Sequence, residues 1–126
     1  MDGSLKSSIK MSIITEFIEI IGTKGSKKVE TLIDTSAESN YISERRFKEF
    51  EKIGILNFYE TYVSIAGSRE KQLKLAFVFK EVKIRNAILS EPEFIFVDSI
   101  DYDAIIGVEV LQTVGFLIDM KTDQLK

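Results

Sequence analysis

The strongest constraint on this chain is its punctuation. Short runs rich in Ile, Val, Phe and Tyr follow one another, cut by Gly, Pro or charged turns, and helical spacing surfaces in only two short places. In residues 13–21, Ile14, Glu16, Ile18 and Ile20 fall on one side and Thr15, Phe17, Glu19 and Ile21 on the other, a strand period without a clean apolar face. Gly22-Thr23-Lys24-Gly25-Ser26 supplies a turn, and residues 27–33 make a second strand that runs straight into Asp34, so the pair reads as a hairpin. Residues 59–65 and 72–79 make a longer hairpin with the polar tip Ala66-Gly67-Ser68-Arg69-Glu70-Lys71. Strands follow at 81–89 and, after Glu91-Pro92, at 93–97. Helical period appears over 43–53, where Phe47, Phe50 and Ile53 recur between Ser43 as N-cap and Gly54 as stop. It returns over 108–113, ahead of a strand at 115–118 and a turn at 119–123. Many short strands and little helix predict an all-β barrel with one or two short helices.

At 126 residues the chain buries roughly two-thirds of its unfolded surface, enough for a core without a covalent or metal staple. It has no Cys and no His, which excludes disulfides, thiolate nucleophiles, the usual zinc ligands and every Ser-His or Cys-His arrangement. Chemistry is left to carboxylates, Lys, Tyr and hydroxyls, with no metal or organic cofactor expected. A net charge of −3 is the wrong sign for a domain that neutralises phosphates, so nucleic acid is not an expected partner. The apolar stretch over 11–21 is broken by Glu16 and Glu19 and falls short of the ~20 residues a membrane span needs. Nothing reads as a secretory signal, so the cytoplasm is the expected location and no membrane the expectation. Residues 1–12 read as a flexible tail and 13–126 as one domain.

Two segments carry chemistry. In residues 31–43 an apolar strand, Thr31-Leu32-Ile33, delivers Asp34, then the small polar residues Thr35, Ser36, Ala37, Glu38 and Ser39, before the apolar character returns at Tyr41 and Ile42. That pattern holds one carboxylate in a tight, semi-buried loop. In residues 103–111 the run Ala104-Ile105-Ile106 closes on Gly107, with a short helix behind it. Taken alone, Asp34 is more often a turn or cap residue, Thr35 and Ser36 an ordinary turn, and Gly107 a close approach of helix and loop. Asp103 reads as a turn acceptor, Glu38 and Glu109 as solvated carboxylates, and the Phe47, Phe50, Ile53 stripe as core.

In this order, with a hairpin between them, the two segments resemble the retropepsin-like aspartic proteases, the single-domain acid proteases of retroviral, retrotransposon and DNA-damage-inducible-protein type. The resemblance spans residues 17–125. The Asp-Thr/Ser-Gly-Ala loop of that family matches Asp34, Thr35 and Ala37, with Ser36 where Gly is usual, and its apolar-apolar-Gly element matches Ile105, Ile106 and Gly107. Val108 stands where retroviral members carry Arg, which puts the chain nearer the retrotransposon and cellular branch.

The resemblance implies a closed acid-protease barrel with a flap hairpin at 59–79, acting as a homodimeric aspartic endopeptidase on an extended peptide or protein substrate. Hydrolysis by this route needs two carboxylates sharing one proton across a water. The chain has one such loop, so each subunit would supply one Asp34. By the resemblance Asp34 is catalytic, Thr35, Ser36 and Ala37 form the active loop, and Gly107 is structural. Glu38, Ala66, Gly67, Ser68 and Ile106 would meet substrate. A catalytically inactive dimerisation or peptide-binding module of the same fold is the alternative, and a small β-barrel adaptor a third reading.

Overall fold

Alternation over residues 14–33 folds as its period asks. In the computed structural model, which describes residues 14–34, 36–64, 70–98, 100–114, 118–119 and 124–125, β1 (Ile14–Ile21) and β2 (Ser26–Ile33) pair antiparallel, from Ile14 opposite Ile33 to Ile21 opposite Ser26. Ile14, Ile18 and Ile20 are buried from β1, and Val29, Thr31 and Ile33 from β2, while Phe17 is left 67% exposed. Glu16, which spoiled the inward row in the sequence, is half-buried and meets Arg85 at 3.1 Å.

The loop of this hairpin caps a helix. Ser43 opens the helical region, its hydroxyl accepting from Arg45 N at 3.2 Å ahead of a single 3-10 turn, Glu44–Arg46. Helix α1 (Phe47–Ile53) follows and buries Phe50 and Ile53. It ends at Gly54, whose φ of 91° is cheap only for glycine. The last carbonyls would be orphans. They are satisfied by the hairpin loop, with Lys24 N and Gly25 N donating to Ile53 O at 2.8 and 3.1 Å and Thr23 N to Gly54 O at 3.2 Å. A Cβ at Gly22 would fall onto the carbonyls of Ile53 and Gly54, so that residue too must be glycine. The phenylalanines of α1 seat it on the sheet: Phe47 packs against Phe77 and Phe96, and Phe50 against Phe79, with ring centroids 5.4–5.9 Å apart. Each buried ring contributes about 2–3 kcal/mol through area alone.

The remaining strands are β3 (Tyr41–Ser43), β4 (Asn57–Ser64), β5 (Lys71–Val78), β6 (Glu81–Ile84), β7 (Ala87–Ser90), β8 (Glu93–Val97) and β9 (Ala104–Ile106). With β1 and β2 they form one nine-stranded sheet in the order β4-β5-β8-β3-β9-β2-β1-β6-β7. Most neighbours are antiparallel. Two pairs are parallel, β2 with β9 and β3 with β8, and they bring residues distant in sequence to the same end of the sheet. Helix α2 (Val108–Val114) follows β9 directly, and a two-stranded pair, β10 (Ile118–Asp119) with β11 (Gln124–Leu125), ends the described chain.

Three expectations need correction or completion. The sheet is β-rich with two short helices, but it is not a closed barrel: among the described residues β4 and β7 end the order without pairing to each other. The single strand read at 81–89 is two strands, β6 and β7, with Lys83 opposite Ile88 and Ile84 opposite Ala87. Its turn sits at Arg85-Asn86, where Arg85 takes a φ of 54° without the glycine that would have signalled it. Of the strand expected at 115–118 only Ile118 lies in the described residues, within β10; the tail 1–12, residues 66–69 of the hairpin tip expected at 66–71 and most of the turn at 119–123 lie outside them, and Lys71 already belongs to β5. No helix among the described residues is long and apolar enough to cross a membrane.

Candidate active site

Strand β2 delivers Asp34, and β9 decides where it stops. Ile33 lies opposite Ile106 in the parallel pair, and Asp34 N extends that ladder by one bond to Ile106 O at 3.0 Å. The chain then leaves the sheet in a tight turn closed by Ala37 N donating to Asp34 O at 3.1 Å. Inside this turn Oδ1 of Asp34 accepts twice from Ser36, from the backbone N at 3.0 Å and from Oγ at 2.6 Å. The carboxylate, half-buried, is therefore held on one oxygen by its own loop, leaving Oδ2 unengaged by any of these bonds.

A second layer fastens the loop to the start of α2. Val108 N donates to Ala37 O at 2.9 Å, and Gly107 N donates to Asn40 Oδ1 at 2.9 Å. Gly107 is buried where loop and strand almost touch: a Cβ there would lie 2.5 Å from Ser39 O and 2.6 Å from Ala37 O. Asn40, only 9% exposed, also donates through Nδ2 to Glu93 O at 3.0 Å, and its own carbonyl accepts from Ile95 N at 2.8 Å. One amide side chain thus joins the loop, β8 and the end of β9. Sequence reasoning missed it, because a single Asn before an apolar run reads as an ordinary turn residue.

Above the loop lies a cleft of about 640 Å³. Asp34, Ser36, Ala37, Glu38 and Tyr41 line it from the loop and β3; Ser64, Gln72 and Lys74 from the β4–β5 hairpin; Val97 from the end of β8, with Asp98 and Ile100 from the segment that follows; and Ile105 from β9. The cleft brings together Asp34, Ser36, Ala37 and Glu38. Ile106, expected against substrate, is instead fully buried in the core, and its neighbour Ile105 faces the cleft. In a three-residue strand an apolar-apolar pair gives no sign of which side is inward, so the sequence left the parity open. Thr35, Ala66, Gly67 and Ser68 lie outside the described residues.

The ionic surroundings are structural rather than catalytic. Asp103 accepts from Arg46 Nε at 2.9 Å, its carbonyl accepts from Ser43 N at 3.0 Å, and the Arg46 guanidinium beside Asp103 and Glu49 is held above its ordinary range. The Tyr59 phenol hydrogen-bonds Glu93 across β5, and that bond, with some burial, pushes its pKa up to about 12. Among the described residues no cluster of His, Cys, Asp or Glu forms a metal centre. What the arrangement offers is one lining carboxylate, Asp34, held by its own loop and by Ile106, beside a cleft that Glu38 and Asp98 also line.

No family model matches the sequence, and no curated protein matches it either. Solved structures do. The retroviral protease-like domain of Ddi1 from Leishmania major superposes with a TM-score of 0.56, at 14% identity, over 92% of this chain and 87% of that one. A retropepsin-like aspartic protease from Rickettsia conorii superposes with a TM-score of 0.59, at 16% identity, over 91% of this chain and 93% of that one. The chain has the fold of the retropepsin-like aspartic protease domains.

Proposed function

We propose that the chain is one half of a homodimeric aspartic endopeptidase, with Asp34 from each subunit facing its mate across a twofold axis and an extended peptide lying between the subunits. The observation that carries this reading is the fixation of Asp34: a half-buried carboxylate, tied through its backbone to Ile106 and through Oδ1 to Ser36, lining a cleft of about 640 Å³. A single carboxylate cannot both take a proton from water and donate one to the scissile carbonyl. Two that share one proton can, since like charges that close do not both ionise. The ionised Asp34 would deprotonate the attacking water while its neutral mate hydrogen-bonds the carbonyl oxygen; the mate's proton then passes to the departing amine.

In this reading Thr35 braces the opposite loop, Ala37 and Glu38 border the substrate backbone, and the hairpin β4–β5 closes over it with Ala66, Gly67 and Ser68 at the tip. Substrate main chain adds as a strand, with alternate side chains in pockets. Neither metal nor organic cofactor takes part. A second reading keeps the cleft and drops hydrolysis, leaving a dimerisation or peptide-binding module. The bond from Ser36 Oγ to Asp34 Oδ1 favours it, because it occupies a carboxylate oxygen from within the loop.

Cleavage of a mixed peptide library from about pH 4 to 7, which brackets a coupled carboxylate pair, separates the two. The protein's oligomeric state is measured alongside. Cuts between apolar residues that vanish in Asp34→Asn are the expected result. A protein shown to be dimeric that cuts nothing at any pH, and binds peptides equally well as Asp34→Asn, overturns the endopeptidase reading in favour of the module.

A further inference from the structure

Among the described residues that line the cleft, one is a cation, Lys74, and the hydrolytic chemistry does not use it. Lys74 lies on β5 opposite Thr61, and it lines the same cleft as Asp34. Along residues 71–75 it is the one half-buried position, flanked by exposed Lys71, Gln72, Leu73 and Leu75. Lysine normally extends its stem over apolar surface and leaves its ammonium in water. Here the residue is half-buried and lines a recess whose apolar lining includes Ile105. Lys74 takes part in none of the ion pairs formed among the described residues, whereas Lys27, Arg46 and Arg85 each meet a carboxylate at 2.6–3.1 Å.

Three carboxylates share the cleft: Asp34 and Glu38 from the loop after β2, and Asp98 from the segment after β8. They belong to other elements than Lys74, so the recess is bipolar, and among the described residues its positive charge comes from the β5 wall. A peptide acid lying beside β5 gains an ion pair whose water is partly displaced by the peptide itself. The same acid lying over the loop meets like charge instead.

We infer that Lys74 is a specificity-determining residue of this cleft, and that the peptide it accepts carries an acidic side chain, Asp or Glu, at the position facing β5. The inference rests on the endopeptidase reading for its context but not for its outcome, because recognition of an acid by Lys74 is a property of the cleft whether or not a bond is cut. It commits to a substrate with a single acidic position and with neutral or basic side chains over the loop.

The test uses a peptide library with an apolar centre and with Glu, Gln or Lys placed at each flanking position in turn. It is read by cleavage and, in parallel, by binding to the same intact protein. Wild type is expected to prefer Glu over Gln at one position by about fivefold, the worth of a partly desolvated ion pair. That ratio falls to about one in Lys74→Gln, is kept by Lys74→Arg, and turns toward Lys in Lys74→Glu. It also shrinks as salt is raised in the wild-type protein, a readout that needs no variant to fold. Cleavage that treats Glu, Gln and Lys alike at every position, or a Glu preference that survives in Lys74→Gln, overturns the inference and leaves the endopeptidase reading intact. If no peptide is cut, binding decides. Lys74-dependent preference for Glu upholds the acidic ligand while the endopeptidase reading fails, and binding without such preference overturns both.

Discussion

Replacing Gly107 with Ala tests the placement of the Asp34 loop by a single methyl group. The backbone at Gly107 is not in the left-handed region, so the cost is contact and not torsional strain. The new Cβ would sit 2.5 Å from Ser39 O and 2.6 Å from Ala37 O, where ordinary contact requires about an ångström more. Both obstacles are backbone, and Ala37 O is already fixed by Val108 N at 2.9 Å. Relief must come from moving the loop off α2, which strains or breaks the bond from Gly107 N to Asn40 Oδ1. Overpacking of this kind costs about 1–3 kcal/mol and a lost buried hydrogen bond about 1 more, so a loss of about 2–4 kcal/mol is expected. For a domain of this size that is a fall of roughly 10 °C in Tm. Urea and thermal unfolding read the change directly. Gly25→Ala is the control, since a Cβ there meets nothing within 4 Å and its backbone is not left-handed; its stability should stay within about 0.5 kcal/mol of wild type or rise slightly. A Gly107→Ala protein as stable as wild type, or a Gly25→Ala protein as damaged as Gly107→Ala, would refute the close-approach argument.

Other perturbations follow from the same geometry. Asn40→Ala strips partners from Gly107 N and Glu93 O at once and is expected to cost about 2–4 kcal/mol by chemical denaturation, more than removal of any exposed polar side chain of the loop. Phe50→Ala, at a fully buried ring packed on Phe79, should cost about 3–5 kcal/mol, with the shortfall shown as a lower denaturation midpoint at unchanged slope. Lys27, donating at 2.6 Å, holds the Glu49 carboxyl below its ordinary value of 4.5, with Arg46 helping and burial opposing. A depressed carboxyl contributes stability above its unfolded pKa and loses it as pH falls, so Glu49→Gln should be less stable at pH 7. The deficit is under about 1 kcal/mol because the side chain is 39% exposed. It should close as pH drops below about 4.5; a deficit that persists unchanged at pH 3 would show that packing, not charge, is what the substitution removed.

What was legible in the sequence was local. The period of residues 14–33, the glycine stop at Gly54 and the Ser43 cap each express backbone preferences or burial patterns that act over a few residues, and the structure places them within a residue or two of where they are read. The β6–β7 turn escaped because Arg85 adopts its positive φ under tertiary constraint, without a residue that prefers it. What the three-dimensional arrangement alone decided was long-range: that β9 inserts beside β2 in parallel and sets the end of the Asp34 strand; that Asn40 is a structural joint; that Ile105 and not Ile106 faces the cleft; and that Lys74 lines the cleft, half-buried, while Leu73 and Leu75 beside it are exposed. The division has one physical cause. Residue identity dictates torsional preference and the period of burial, whereas which of two faces is buried, and which strand lies alongside, depends on contacts between segments far apart in the chain.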